Sequence, residues 1–159
     1  MARDDITEKQ KLFLIALQDD ILSFRRRGRH NTYGYSSLDP LKTEIRLVTV
    51  LPGMWEDRIQ CEISVASLKA NPEYEALSYS WGNPELKEPI WVGDKQIGVT
   101  SNCLKALRRF RSREQPVTLW IDAICINQSD DGEKSWQVKL MGEIYEKTER
   151  VLIWLGEND

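Results

Sequence analysis

The 159-residue chain is poor in the residues that most catalytic centres need. It has a single histidine, His30, set in a basic polar stretch. That excludes a Ser–His–Asp or Cys–His centre and leaves too few soft ligands for a zinc site. The three cysteines, Cys61, Cys103 and Cys125, are odd in number, widely spaced and form no CxxC. They make no disulfide framework, so a reducing compartment, the cytoplasm, is expected. No apolar run approaches the roughly 20 residues of a membrane span, and the opening MARDDITEKQ is too charged for a secretory signal. There is no GxxxxGK[ST] and no GxGxxG, so the common phosphate-cradling loops are missing. A net charge of -3 gives no general footprint for nucleic acid.

What is present is ordinary for a soluble domain: 41% hydrophobic and 30% charged residues, with length enough for one sizeable core. Residues 6–27 carry Ile6, Phe13, Leu17 and Ile21 at roughly helical spacing. The stretch ends in Arg25-Arg26-Arg27-Gly28-Arg29-His30, cations followed by a glycine cap. This predicts an N-terminal amphipathic helix (residues 1–30) that docks on a domain of residues 31–159. Next come a polar linker with Tyr33 and Tyr35 and two alternating runs, 44–51 and 59–67, expected as an antiparallel pair. YEALSYSW (74–81) reads as a third strand stopped by Gly82-Asn83-Pro84. Gly93-Asp94-Lys95 marks a small hairpin. Thr100 or Ser101 can cap a helix over 101–112, and Asp130 with Glu133 fits a capping box for a helix over 131–147. A last strand, Val151 to Leu155, is closed by Gly156.

Between these helices lies TLWIDAICINQ (118–128), an apolar run without period-two alternation, as expected of a strand (118–124) covered on both faces. It carries one acid, Asp122. A buried carboxylate must be paired or hydrogen-bonded, so Asp122 either anchors local backbone or lines a site. Cys125 beside it reads as a small core residue, since nothing nearby would lower its pKa. Alternation of strands and helices from residue 74 onward implies an α/β fold: a parallel sheet core with helical crossovers, plus the antiparallel additions. The 74–80, 118–124 and 151–155 strands are expected as parallel neighbours. In such sheets ligands sit beyond the carboxyl ends of the strands. Those ends carry Ser78, Ser80, Trp81 and Gly82; then Asp122, Asn127 and Gln128; then Glu157. Hydroxyls, amides, an indole and carboxylates there could bind a polar, aromatic small molecule such as a nucleotide. The same residue types also serve as turns and caps.

YEALSYSWG (74–82), VTSNCLKALRRFR (99–111), LWIDAICINQSDDGEKSWQV (119–138) and MGEIYEKTERVLIWLGE (141–157), in that order, resemble the heterokaryon incompatibility (HET) domain of filamentous fungi, with YGYSSLD and EIRLVTVLPG similar to its usual lead-in. Cys103 and Thr148 depart from the leucine and alanine usual in the family, as packing changes. The resemblance implies a role in non-self recognition and programmed cell death, through protein partners of the same or another incompatibility type. The HET domain is regarded as a distant relative of the TIR domain, a flavodoxin-like sheet that signals by self-association. Some TIR domains cleave NAD with a glutamate, which makes NAD a candidate substrate. No residue here matches that glutamate; Glu133 and Glu143 lie in the helix after the central strand, a different place. An end just after a strand, at Asp159, is expected of a fragment or a short family member.

Overall fold

A computed structural model describes residues 31–157. The expected amphipathic helix over 6–27, its basic end and the boundary at residue 30 lie outside the described residues.

The alternating run 44–51 becomes β1 (Glu44–Val50) and the next becomes β2 (Gln60–Ser67). They pair antiparallel as expected, with Glu44 opposite Ser67 and Val50 opposite Cys61. YEALSY supplies β3 (Glu75–Tyr79). The hairpin is larger than the sequence suggested: β4 (Lys87–Val92) and β5 (Lys95–Thr100) pair along their whole length around Gly93, whose φ of 62° suits a glycine in the tight turn. The central apolar run supplies β6 (Val117–Trp120), and β7 (Val151–Trp154) ends the described chain.

All seven strands form one mixed sheet in the order β5-β4-β2-β1-β6-β3-β7. Within it β3, β6 and β7 are parallel neighbours, as the strand–helix alternation predicts, and β3 takes the middle place. The rest departs from a parallel core. β1 joins the other side of β6 antiparallel, with Val48 opposite Leu119, and β2 meets β4 in a short parallel pair. The antiparallel strands are thus continuous with the parallel trio. The apolar character of β6 reflects neighbours on both edges and covered faces, a condition that a mixed sheet meets as well as a parallel one.

A second correction concerns the run 118–124. Its strand stops at Trp120, and Asp122–Cys125 turns into a short helix, α2, with Cys125 N–H donating to Ile121 O at 2.7 Å. A short apolar run carries no period that separates strand from buried helical turn.

The helix before β6 is α1 (Ser101–Phe110), two residues shorter than expected. Thr100 caps it, its hydroxyl accepting from Cys103 N–H at 3.2 Å. The helix after α2 is α3 (Asp131–Lys147), with the predicted bounds. It packs against one face of the sheet: Tyr145 meets Trp120 edge-on at 5.7 Å, and the Tyr74 hydroxyl donates to Ile144 O at 2.6 Å. α1 packs against the other, where Cys103 lies by Tyr79. Side chains alternate along β3, so Ala76, opposite Trp120, faces α3 and Tyr79 faces α1. The core between the layers holds Trp120, Leu77, Ile45, Ile121, Leu107 and Ile144, all buried. Each contributes roughly 1.5–3 kcal/mol.

Candidate functional site

The carboxyl end of β6 feeds α2 and then the loop to α3. The element that holds this corner is Arg46 of β1. It is 1% exposed. Its guanidinium donates to Glu133 Oε1 at 2.6 Å and Oε2 at 3.0 Å, to Cys125 O at 3.1 Å and to Ser36 O at 2.5 Å. Tyr35 lies against it, ring centroid 4.7 Å away. Glu133 also accepts from Asn127 N–H at 2.6 Å, and the Tyr35 hydroxyl donates to Ile124 O at 2.7 Å. One ion pair therefore joins β1, the 31–38 segment, α2, the α2–α3 loop and α3. Bidentate arginine–carboxylate geometry suits this, since both charges lose water and need several partners. Sequence reasoning missed Arg46, which alternation along EIRLVTV reads as a solvent-side residue. It also gave Glu133 only half its role. Asp130 caps α3 as expected, accepting from Glu133 N–H at 3.0 Å, while the Glu133 carboxylate goes to Arg46 and the loop instead of back to the cap.

Above this corner is a cleft of about 390 Å³. One wall is β5, from Gln96 to Thr100. A second is the 31–35 segment, which runs beside β5: Tyr33 N–H donates to Gln96 O at 2.9 Å and Gln96 N–H to Asn31 O at 2.8 Å. Tyr33 and Tyr35 line it, packed edge-to-face at 5.0 Å. Trp81 and Lys87 stand on the third side, and Ala123 with Asn127, Gln128 and Ser129 form the fourth. Trp81 is parallel to Tyr79, centroids 6.3 Å apart.

The expected site residues divide. Trp81, Asn127 and Gln128 line this cleft. Asp122 is buried just behind it, with Oδ1 accepting from Ala123 N–H at 2.6 Å while its carbonyl accepts from Gln128 Nε2 at 3.0 Å. One donor to the Asp122 carboxylate thus comes from the adjacent backbone of the turn that carries the cleft wall. Ser78 is half-buried within β3 and stands outside the cleft lining. The Ser80 carbonyl accepts from Asn102 Nδ2 at 3.0 Å. Gly82 sits at φ 70°, which favours a glycine, and a Cβ there would meet Asn102 Nδ2 at 2.6 Å, so the Asn102 side chain would have to shift. Glu157 pairs with Lys105 at 3.1 Å on the surface. The 31–35 segment, the β3–β4 loop, β5, α2 and the loop after it build the cleft, and Ser78, Ser80, Gly82 and Glu157 are not in its lining. Tyr33, Tyr35, Lys87 and β5 were missed, since no local pattern marks residues brought together from 31–35 and 96–100.

The thiols are chemically quiet. Burial pushes Cys125 up to about 12, with Asp122 adding to the rise against the lowering pull of Arg46 and a backbone hydrogen bond. Cys103 is likewise pushed up to about 12 by burial. Neither supplies a thiolate near neutrality. Among the described residues no group of His, Cys, Asp and Glu could hold a metal ion.

The model of the heterokaryon incompatibility protein family matches residues 74–159. The chain belongs to the HET family. It is 39% identical over 143 residues to heterokaryon incompatibility protein 6, OR allele, of Neurospora crassa, an alignment covering 79% of this chain and 21% of that protein. The chain thus spans about a fifth of the curated relative's length. No solved structure matches. The HET match begins at Tyr74, so it takes in Trp81, Lys87, β5, Asn127 and Gln128 but not Arg46, Tyr33 or Tyr35.

Proposed function

We propose that this chain is the HET module of a fungal incompatibility protein, active in non-self recognition and triggering programmed cell death by associating with a copy of itself or with another incompatibility protein. The observation that carries the reading is the family match over more than half the chain, reinforced by the 39% identity to a protein named for incompatibility. The trio β6-β3-β7, parallel with helical crossovers, supports a flavodoxin-like, TIR-like core as the signalling platform. The reading places the protein in the cytoplasm. Among the described residues no helix is long and apolar enough to cross a membrane.

The test is inducible expression in a filamentous fungus, scoring viability beside protein abundance. Wild type is expected to kill hyphae at moderate abundance. Glu133→Ala, which strips Arg46 of its partner, is expected to lose both abundance and killing. Wild-type protein at high abundance in healthy hyphae, alone and in fusions with incompatible strains, overturns the reading. Consumption of NAD by the purified protein would replace association with catalysis as the mechanism.

A further inference from the structure

We propose that the cleft is a strand-docking groove. It takes a short extended segment of a partner protein, which pairs with the outer edge of β5 at Gly98 and lays an aromatic side chain over that glycine. This use of the cleft does not rest on the incompatibility reading, because purified protein tests it.

The β5 edge comes first. Trp91 and Gln96 stand opposite each other in the β4–β5 ladder. Trp91 N–H donates away from β5, to Ile59 O at 2.9 Å. Gln96 bonds on its outer side, its N–H donating to Asn31 O and its carbonyl accepting from Tyr33 N–H. That pair therefore exchanges no hydrogen bonds. Bonded and unbonded pairs alternate along an antiparallel ladder. Pro89 and Gly98, two residues on in each strand, thus form the next unbonded pair. Proline suits its half of that pair, having no N–H to give. The other half directs Gly98 N–H and C=O away from β4, and Gly98 lines the cleft.

The 31–33 segment comes second. It starts a parallel strand along this same edge, with Thr32 bridged to Gln96. Continued by one more rung, it would meet Gly98 with Tyr33 O and Tyr35 N–H. The chain turns off instead: the Tyr35 hydroxyl goes to Ile124 O and its ring lies against Arg46. The cleft, about 390 Å³, is the fork between this departing segment and the Gln96–Thr100 stretch of β5. An extended segment offers an N–H and a C=O on one side at every second residue, which is what Gly98 lacks and Gln96 already has. A helix bonds its backbone internally and would leave Gly98 unanswered.

The side chain comes third. Gln96, Gly98 and Thr100 share one face of β5, so Gly98 leaves a gap in that row. Glycines in edge strands are covered by an aromatic side chain from the neighbouring strand. The Tyr33 ring lines the same cleft, held edge-on against Tyr35 at 5.0 Å. A guest ring therefore meets an aromatic surface that is already ordered. Main-chain pairing supplies affinity in such docking, and the ring supplies selectivity.

The experiment titrates the isotope-labelled full chain with a capped peptide, acetyl-Thr-Thr-Phe-Thr-Thr-amide, and follows backbone amides by NMR. The Gly98 amide signal is expected to shift and saturate, while those in the second half of α3 stay in place. A peptide N-methylated at its three central residues lacks the N–H groups that reach Gly98 O in either strand direction, and should bind about tenfold more weakly or worse. Replacing the peptide's phenylalanine by alanine should also weaken it about tenfold. Gly98→Ala keeps the N–H and fills the gap, so it should weaken the phenylalanine peptide and change the alanine peptide little. The wild-type comparisons decide the matter even where that variant fails to fold. Failure of the phenylalanine peptide to bind folded wild type at millimolar concentration overturns the proposal. So does binding that N-methylation leaves intact, or that leaves the Gly98 signal unmoved. A Gly98 signal that shifts with protein concentration, without peptide, would assign the edge to a second copy of this chain and overturn the partner reading.

Discussion

Two buried arginines organise two parts of this molecule in different ways. Arg46 sits at the junction of β1, α2 and α3 and faces a carboxylate, Glu133, in a bidentate pair. Arg111, just beyond α1, is 9% exposed and holds the 53–58 loop by backbone carbonyls: Nη1 donates to Arg58 O at 3.1 Å, and Nη2 to Asp57 O at 3.1 Å and to Met54 O. Gly53 lies against it: a Cβ there would meet Arg111 Nη1 at 2.9 Å, so the guanidinium would have to shift. One arginine is a core junction with its charge neutralised. The other tethers a surface loop whose Met54 and Trp55 remain exposed. A buried thiol near each reports the same contrast with solvent. Cys125 near Arg46 and Cys61 near Arg111 are both pushed up to about 12, so burial outweighs the nearby cation in both places. Burial also pulls the Arg111 guanidinium down from the usual arginine range, with Asp57 opposing it. The difference teaches that removing a partner should be global at Arg46 and local at Arg111.

The largest expected effect breaks the junction. Glu133→Ala should cost about 3–5 kcal/mol, because it leaves a guanidinium buried without its counter-charge. Arg46→Leu combined with Glu133→Leu should recover much of that loss. Urea denaturation of the three proteins measures both. A loss under about 1 kcal/mol for Glu133→Ala would mean that Arg46 finds water or other acceptors and is no junction.

The tether should fail more gently. Arg111→Ala should cost about 1–3 kcal/mol through carbonyls left without donors. Amide exchange should speed up over residues 53–58 and stay unchanged in α3. Equal acceleration in α3 would erase the distinction between the two arginines.

Alkaline pH tests both regions through their thiols. The folded values of Cys61, Cys103 and Cys125 are raised to about 12, above the unfolded thiol range of about 8.5. The unfolded chain therefore releases protons first as pH climbs, and stability is full below about pH 8.5 and falls between there and about 12. The slope should approach about 1.4 kcal/mol per pH unit for each thiol. Denaturation midpoints from pH 7 to 10.5 check this, and native protein should resist iodoacetamide at pH 8. Rapid alkylation of Cys125 in the folded state would show that the junction opens.

The smallest effect is a control outside both regions. Lys105 and Glu157 pair at 3.1 Å with both side chains close to half exposed. Lys105→Ala should change stability by about 0–1 kcal/mol, and less in high salt. A larger loss would mean that the end of β7 is held more firmly than its exposure implies.

How far local sequence reaches can be judged element by element. The bounds of α3, the Asp130 cap, the Thr100 cap and the parallel pairing of β3 with β6 were all readable. Each rests on interactions within a few residues or on the handedness of short connections. Asp122 was readable as a buried acid in need of a hydrogen-bond partner, because an unpaired carboxylate in an apolar run is costly; the run by itself leaves open whether it anchors backbone or lines a site. The helical turn after Trp120 was not, since LWIDAIC has no period that excludes strand.

Arg46 shows where the local rules stop. Alternation assigns it to water, yet the 31–38 segment, α2 and α3 close over that side of β1 from 10 residues upstream and 79 and 87 downstream. The cleft has the same origin. Trp81, Asn127 and Gln128 could be named from their places at strand ends, whereas Tyr33, Tyr35, Lys87 and β5 become its walls only when the 31–35 segment lies along β5. Caps, turns and amphipathic faces depend on near neighbours and so are written in the order of residues. Which face is covered, which charge loses its water and which loops enclose a cavity depend on contacts between distant parts of the chain, and those exist only once the sheet has assembled.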